Sequence, residues 1–255
     1  MEIGYNDIFH FPSRTLLNKR LTKVFFTKNF DLSSSEKKTL QNEVIRMEWV
    51  SSLKPSNTNI PKFETETHLI EEVQFMTCEV SNLDKYGKTV IDLFQKYIPY
   101  QIVLVIEDKD FWMLNLTEKR INHNDRSKRT IEKSFSTNPI HKTEYNTVKE
   151  FIKTLSFDRV NRSTLNSVYQ SYINSVIQFK SYVITGIFNE KNFEKNKRDI
   201  ESIERIEIVK MEIITFKNQL KKETQLNNRI FINMEIQKRK KEIKRLKVKL
   251  QVNEE

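Results

Sequence analysis

Glycine is scarce in this sequence, three residues in 255, and that shortage removes several function classes. A loop that wraps a phosphate needs glycines where the backbone must approach the ligand, so neither a Walker A loop nor a dinucleotide fingerprint can be written here. ATPase, methyltransferase and Rossmann-type oxidoreductase chemistry are therefore disfavoured. Cysteine is scarcer still: Cys78 stands alone, which rules out a disulfide within the chain and a thiolate metal cluster. It falls inside a strand pattern, where it reads as a small buried hydrophobe. The four histidines, His10, His68, His123 and His141, have no metal-ligand spacing, and no G-x-S-x-G nucleophile motif is present. Long apolar runs are missing too. Nothing approaches the roughly 20 residues that cross a bilayer. The opening MEIGYNDIFHF lacks the cationic start and apolar block of a signal peptide, so the expectation is a cytoplasmic chain with no membrane association.

What is present organises around residues 69–120. Glu72–Val80 alternates at period two, Val73, Phe75 and Thr77 on one face and Gln74, Met76, Cys78 and Val80 on the other, which predicts a strand buried on both sides. Asp84–Ile98 carries Val90, Ile91, Phe94 and Tyr97 at helical spacing and stops at Pro99. Ile102–Ile106 is an unbroken apolar run, as expected of a covered central strand. Glu107–Asp110 makes a polar turn, and Phe111–Leu116 returns as the next strand. Together these predict an α+β fold, a mixed sheet with flanking helices.

Around that unit, Ser33-Ser34-Ser35-Glu36 has the capping-box form and predicts a helix to about Val44. Arg46–Leu53 alternates as a strand, and Pro55 and Pro61 bracket a polar loop. Asn122–Arg129 reads as a turn before a strand at Thr130–Ser136. Thr147-Val148-Lys149-Glu150 reads as a second capping box, and Ser163–Thr185 as an amphipathic helix ended by Gly186. The first 30 residues have apolar anchors but no assignable period. We place one domain at 1–186 and a helical, coiled-coil region at 187–255. In the latter, Ile206, Val209, Ile213, Phe216 and Leu220 step by three and four, and Ile236, Ile243, Leu246 and Leu250 resume in a shifted register. The break at Glu223–Asn228 allows one long helix with a stutter or two helices folded back. A seam so narrow needs cover from a second copy, another protein or the chain itself.

The net charge is +10, with 18 Lys and Arg against 12 acids beyond Gly186. Lys238–Lys249 alone holds eight bases and one acid, Glu242. On a helix these bases leave free only the Ile243/Leu246/Leu250 stripe. Either they solvate a coiled-coil surface, or Lys238, Arg239, Lys240, Lys241, Lys244 and Arg245 contact nucleic-acid phosphates in a salt-dependent manner. Two acidic motifs have the composition of catalytic chemistry. Glu107-Asp108-Lys109 has the E-x-K form of Mg²⁺-dependent nucleases but falls where a turn attracts the same residues. Glu72-Val73-Gln74 resembles that form with glutamine for lysine. Glu64 or Glu66 would have to supply the second carboxylate, and a structural Glu72 is the other reading. Mg²⁺ enters only under that nuclease alternative. No other cofactor is expected.

Thr15-x-x-Asn18-Lys19-x-Leu21-x-Lys23, Trp49, Thr58-Asn59-Ile60, Glu72-Val73-Gln74-Phe75, Ile98-Pro99-Tyr100, Lys119-Arg120-Ile121-Asn122 and Lys222-Glu223-Thr224-Gln225-x-Asn227 follow in an order that resembles a prokaryotic family described as domain of unknown function 4391. Thr22 departs from it, where a proline is expected. The resemblance implies a gene placed beside helicases and DNA methyltransferases in loci like restriction or anti-phage islands. It also implies family-like polar positions at Lys19, Lys23, Glu72, Gln74, Lys119 and Arg120. The resulting expectation is a non-enzymatic accessory subunit that docks on a helicase or methyltransferase partner. Its Lys19, Lys23, Lys119 and Arg120 would share one phosphate-facing patch, and its C-terminal helix could form a homo-oligomer. The alternatives are a divergent nuclease centred on Glu72 and Gln74, or a purely structural scaffold.

Overall fold

The computed structural model describes residues 5–126, 128–144, 147–189 and 193–252. In chain order its elements are α1 (Tyr5–Phe9), β1 (Leu16–Arg20), α2 (Lys23–Asn29), α3 (Ser34–Asn42), β2 (Val44–Leu53), α4 (Pro55–Thr58), β3 (Phe63–Glu64), β4 (Leu69–Ile70) and β5 (Val73–Val80). There follow α5 (Leu83–Tyr97), β6 (Gln101–Glu107), β7 (Phe111–Ile121), β8 (Arg129–Ser136), β9 (Ile140–His141), α6 (Lys149–Thr154), α7 (Leu165–Thr185), α8 (Phe193–Lys222) and α9 (Leu226–Gln251). The fold is mixed α+β, as the patterns predict. Two compact units divide it, Met1–Val176 and Ile177–Glu255; the division falls inside α7, ahead of Gly186.

The first unit is built on one sheet ordered β1-β2-β5-β6-β7-β8, with β9 on β7. β5 and β6 are its parallel pair, joined by α5, and the other neighbours are antiparallel. Alternation sends Met76, Cys78, Ile102, Leu104 and Ile106 to one face, where they pack with Phe26, Leu40, Val90 and Phe94 of α2, α3 and α5. Phe75 lies on the other face, in ring contact with Phe9, Phe11 and Tyr172. Both faces of β5 and β6 are thus covered, which is why apolar residues occupy both faces of β5 and Ile102–Ile106 of β6 is an unbroken apolar run.

The Ser33–Glu36 capping box forms in both directions and starts α3. The second box does not: α6 begins one residue later, with Val148 at its N-cap and no side-chain cap bond. In the Pro55–Pro61 segment, expected as a loop, Pro55 occupies the first turn of α4, where its missing N–H costs nothing. β7 runs on to Ile121, five residues beyond its predicted end. The unassigned N-terminal stretch supplies α1, β1 and α2. β1 is an exposed edge strand, so the burial that would print a period on it is absent. Thr22, the departure from the family-like pattern, caps α2 by accepting from Phe25 N. Gly186 ends α7 at φ +77°, a left-handed conformation that glycine adopts without strain.

β6 and β7 pair only from Leu104–Glu107 against Trp112–Asn115; beyond that they diverge. The buried Tyr169 hydroxyl of α7 enters the gap, 2.8 Å from Thr117 N, 3.1 Å from Ile102 O and 3.0 Å from Thr117 O. It replaces ladder bonds the strands cannot make. On the α5 side Gln95, Asn115 and Thr117 are joined at 2.7–2.8 Å, and Asn115 continues to Ser134 and Ser136 of β8.

In the second unit the tail resolves as an antiparallel hairpin, and the chain covers its own seam. Ile203, Ile206 and Val209 of α8 and Ile232, Ile236, Leu246 and Leu250 of α9 are buried. Lys195 closes the open end: its ammonium lies 3.0 Å from Asp199 and donates to Lys249 O at 2.9 Å, at the C-terminal end of α9. No helix among the described residues is long and apolar enough to cross a membrane.

Removing the hydroxyl with Tyr169→Phe strips the Thr117 N–H of its side-chain acceptor inside the core. The expected loss is about 1–3 kcal/mol, read as a lower urea midpoint at unchanged m-value.

Candidate nucleic-acid interface and buried polar cluster

Glu72 sits just ahead of β5 and is 6% exposed. Ser52 and Gln74 are direct cross-strand partners in β2 and β5, so their side chains share one face, and Glu72 turns its carboxylate to meet them. One oxygen accepts from Ser52 Oγ at 2.6 Å and Gln74 Nε2 at 3.0 Å; the other lies 3.2 Å from Lys54 Nζ. Three donors therefore hold one carboxylate, the usual solution for a buried charge. Glu64 is ion-paired with Lys62, and Glu66 is exposed. Among the described residues no three of His, Cys, Asp and Glu group together. Mg²⁺ seeks oxygen ligands, with one or two carboxylates, whereas this cluster offers one carboxylate already beside an ammonium. The residues present do not fit that ion.

Glu107 closes β6, and Asp108 and Lys109 lie in the turn that follows, as their composition favours. Asp108 accepts from the backbone N–H groups of Leu83, Asp110 and Phe111 at 2.8–3.0 Å. Burial pushes its carboxyl up, but these donors and Lys142 outweigh that and hold it below the ordinary range. Glu107 is taken by Lys142 at 2.7 Å and Tyr5 at 2.5 Å.

The expected patch of four bases does not exist. Lys119 is 1% exposed and cannot reach a phosphate. Its ammonium donates to Ile98 O at 2.8 Å and Tyr100 O at 2.9 Å, tying down the carbonyls that follow α5. Desolvation, with the Arg129 charge second, lowers its pKa to about 7. A neutral amine still has the two N–H donors these carbonyls need. Arg120 on β7 is a half-exposed partner of Glu132 at 3.3 Å. Lys19 is exposed on β1, and Lys23 donates to Gln41 O at 2.6 Å. β1 lies four strands from β7, roughly 19 Å at the usual strand spacing, so the sheet order separates these bases.

In the hairpin Arg239 is also withdrawn from the surface role. It reaches Glu212 at 2.9 Å, pairs with Glu235, and lies over the Phe216 ring. Arg205 reaches Glu242 at 2.7 Å and Glu212 at 3.3 Å. The Glu235–Arg239 spacing of four was a readable signal for this pairing; the contacts across the hairpin were not. Lys238, Lys240, Lys241, Lys244 and Arg245 are exposed and form no ion pair among the described residues.

These features define a mixed α+β sheet protein with a basic helical hairpin. The chain belongs to the family described as domain of unknown function (DUF4391), whose model matches residues 9–243. That span ends within α9, so α8 and the larger part of α9 lie in the family region. No curated protein and no solved structure matches the chain.

Glu72→Ala would leave Ser52, Gln74 and Lys54 without their acceptor, an expected loss of about 2–4 kcal/mol in urea unfolding; Glu72→Gln should lose less. Lys119 supplies a pH test. Its folded pKa lies below its unfolded value, so between about pH 7 and pH 10.5 the unfolded chain holds more protons and stability rises with pH. The expected gain from pH 7 to pH 9 is about 2 kcal/mol. Lys119→Met, compared with wild type by urea midpoint at both pH values, should abolish that difference and be destabilised at pH 9.

Proposed function

We propose that this protein is a non-enzymatic accessory subunit that binds nucleic acid through the outward bases of α9. The observation that carries this reading is the arithmetic of charge in the hairpin. Glu212, Glu235 and Glu242 are consumed by Arg205 and Arg239, while Lys238, Lys240, Lys241, Lys244 and Arg245 stay exposed and form no ion pair among the described residues. Five bases within eight residues of helix span roughly 10 Å of axis, enough to meet successive phosphates. Lys19 on β1 is a further exposed cation. The resemblance to a prokaryotic family found near helicases and DNA methyltransferases supports a place in a restriction-like or anti-phage assembly, with one of those enzymes as the protein partner. Backbone contacts of this kind carry no base-specific information.

Fluorescence anisotropy with labelled duplex and single-stranded DNA across a salt series tests the proposal. Log affinity should fall linearly with log salt. Replacing Lys238, Lys241 and Lys244 by glutamine should flatten the slope by about 2–3 on duplex. Undetectable or salt-insensitive binding would sink the idea.

A further inference from the structure

The first turns of α9 face outward with large hydrophobic side chains. Leu226 is 70% exposed, Ile230 50%, Phe231 62% and Met234 65%. Leu226, Ile230 and Met234 step by four and form one row, opposite the buried seam of Ile232 and Ile236, with Phe231 beside it. The row leads into a shallow groove lined by Ile230, Asn233, Met234, Gln237, Lys238 and Lys241. Contiguous exposed apolar surface of this kind marks an interaction site.

The chemistry of the row selects its occupant. From 226 to 234 the only charged residue is Arg229, and its guanidinium is held by Glu223 O at 2.8 Å and Leu220 O at 3.4 Å. The surface is therefore apolar with asparagines between, and self-complementary. Phosphate binding gains nothing from buried aliphatics. A membrane surface does not fit either, because apolar and basic residues follow one another along the same row instead of dividing between faces. Charge also fixes direction. In a parallel pair the run Lys238–Arg245 of each copy would lie on its twin, whereas an antiparallel pair overlapping at 226–234 sends the two runs to opposite ends.

We propose that this face binds a second copy of the chain, antiparallel, about a two-fold axis near Ile230. Met234 then meets Leu226 of the other copy. The apolar area on offer is roughly 400–500 Å² per copy, about 900 Å² in a pair, below the ~1,200 Å² of a stable specific interface, so the dimer is reversible. It presents two basic arms, and simultaneous engagement of one polyanion would tighten both contacts. The dimer itself does not depend on the nucleic-acid reading.

Sedimentation velocity of the full chain from about 1 to 200 μM, the range in which a weak dimer forms, should show the weight-average mass rising from 30.6 kDa towards twice that. Ile230→Gln with Met234→Gln, at exposed positions that spare the fold, should raise the dimer dissociation constant at least tenfold. Direction is read by oxidative cross-linking, since the only native cysteine, Cys78, is buried. Ile230→Cys should link two chains, while Val248→Cys, on the same row and roughly 27 Å away along the axis, should not. A mass that stays at 30.6 kDa throughout, an unchanged constant in the double variant, or equal linking through Val248→Cys overturns the proposal. Loss of DNA binding alone leaves the dimer intact, so the two readings fail separately.

Discussion

β5 and β6 run parallel and are covered on both faces, and most of the first unit follows from that arrangement. Burial of Val73–Val80 and Gln101–Glu107 removes water from every polar group nearby, so each must find a protein partner or be left costly. The partners found are specific. Tyr169 fills the split between β6 and β7, Gln95 reaches across from α5 to Asn115 and Thr117, and Lys119 serves the carbonyls after α5. The buried Gln74 oxygen has no hydrogen-bond partner among the described residues, even though its amide nitrogen binds Glu72. Buried polar networks of this kind raise the cost of misplacing any one member.

Glu72 shows how the same constraint separates structure from chemistry. A carboxylate on a covered sheet can look catalytic in a sequence, since metal sites are also acidic residues on strand ends. What distinguishes the cases is the sign of what surrounds it. Here Lys54, Ser52 and Gln74 all present donors to the oxygens, and that arrangement stabilises the anion with protein groups alone.

The hairpin obeys a different balance. Its seam is narrow, and the ion pairs of Arg205 and Arg239 use the acids closest to the basic run. Positive charge is left on the outside of α9, and apolar surface on its first turns. One helix thus presents two kinds of outward surface in succession, a mainly apolar stretch and a basic one. The low contrast between the faces of α8 and α9 in the sequence has this origin, because hydrophobic residues lie both on the seam and opposite it.

Much of the fold was legible because burial writes a period into the chain. The runs at 73–80 and 102–106 and the seam of α8 and α9 were readable for that reason, and the Ser33 box was readable from its local capping chemistry. Local signals failed where exposure erased the period, as in β1, or where a box-like Thr147 lay next to a helix that began without it. The identity of a lysine as surface or core was not readable at all. Lys119 and Arg120 are neighbours in sequence, yet one is sealed under α5's exit and the other faces Glu132. The sequence by itself determined the buried strands and the longer helices, since those follow from short-range alternation of polar and apolar residues. Only the tertiary structure decided that the tail folds back on itself, that β1 and β7 stand four strands apart, and which charges are already spent, because those depend on contacts between residues far apart in the chain.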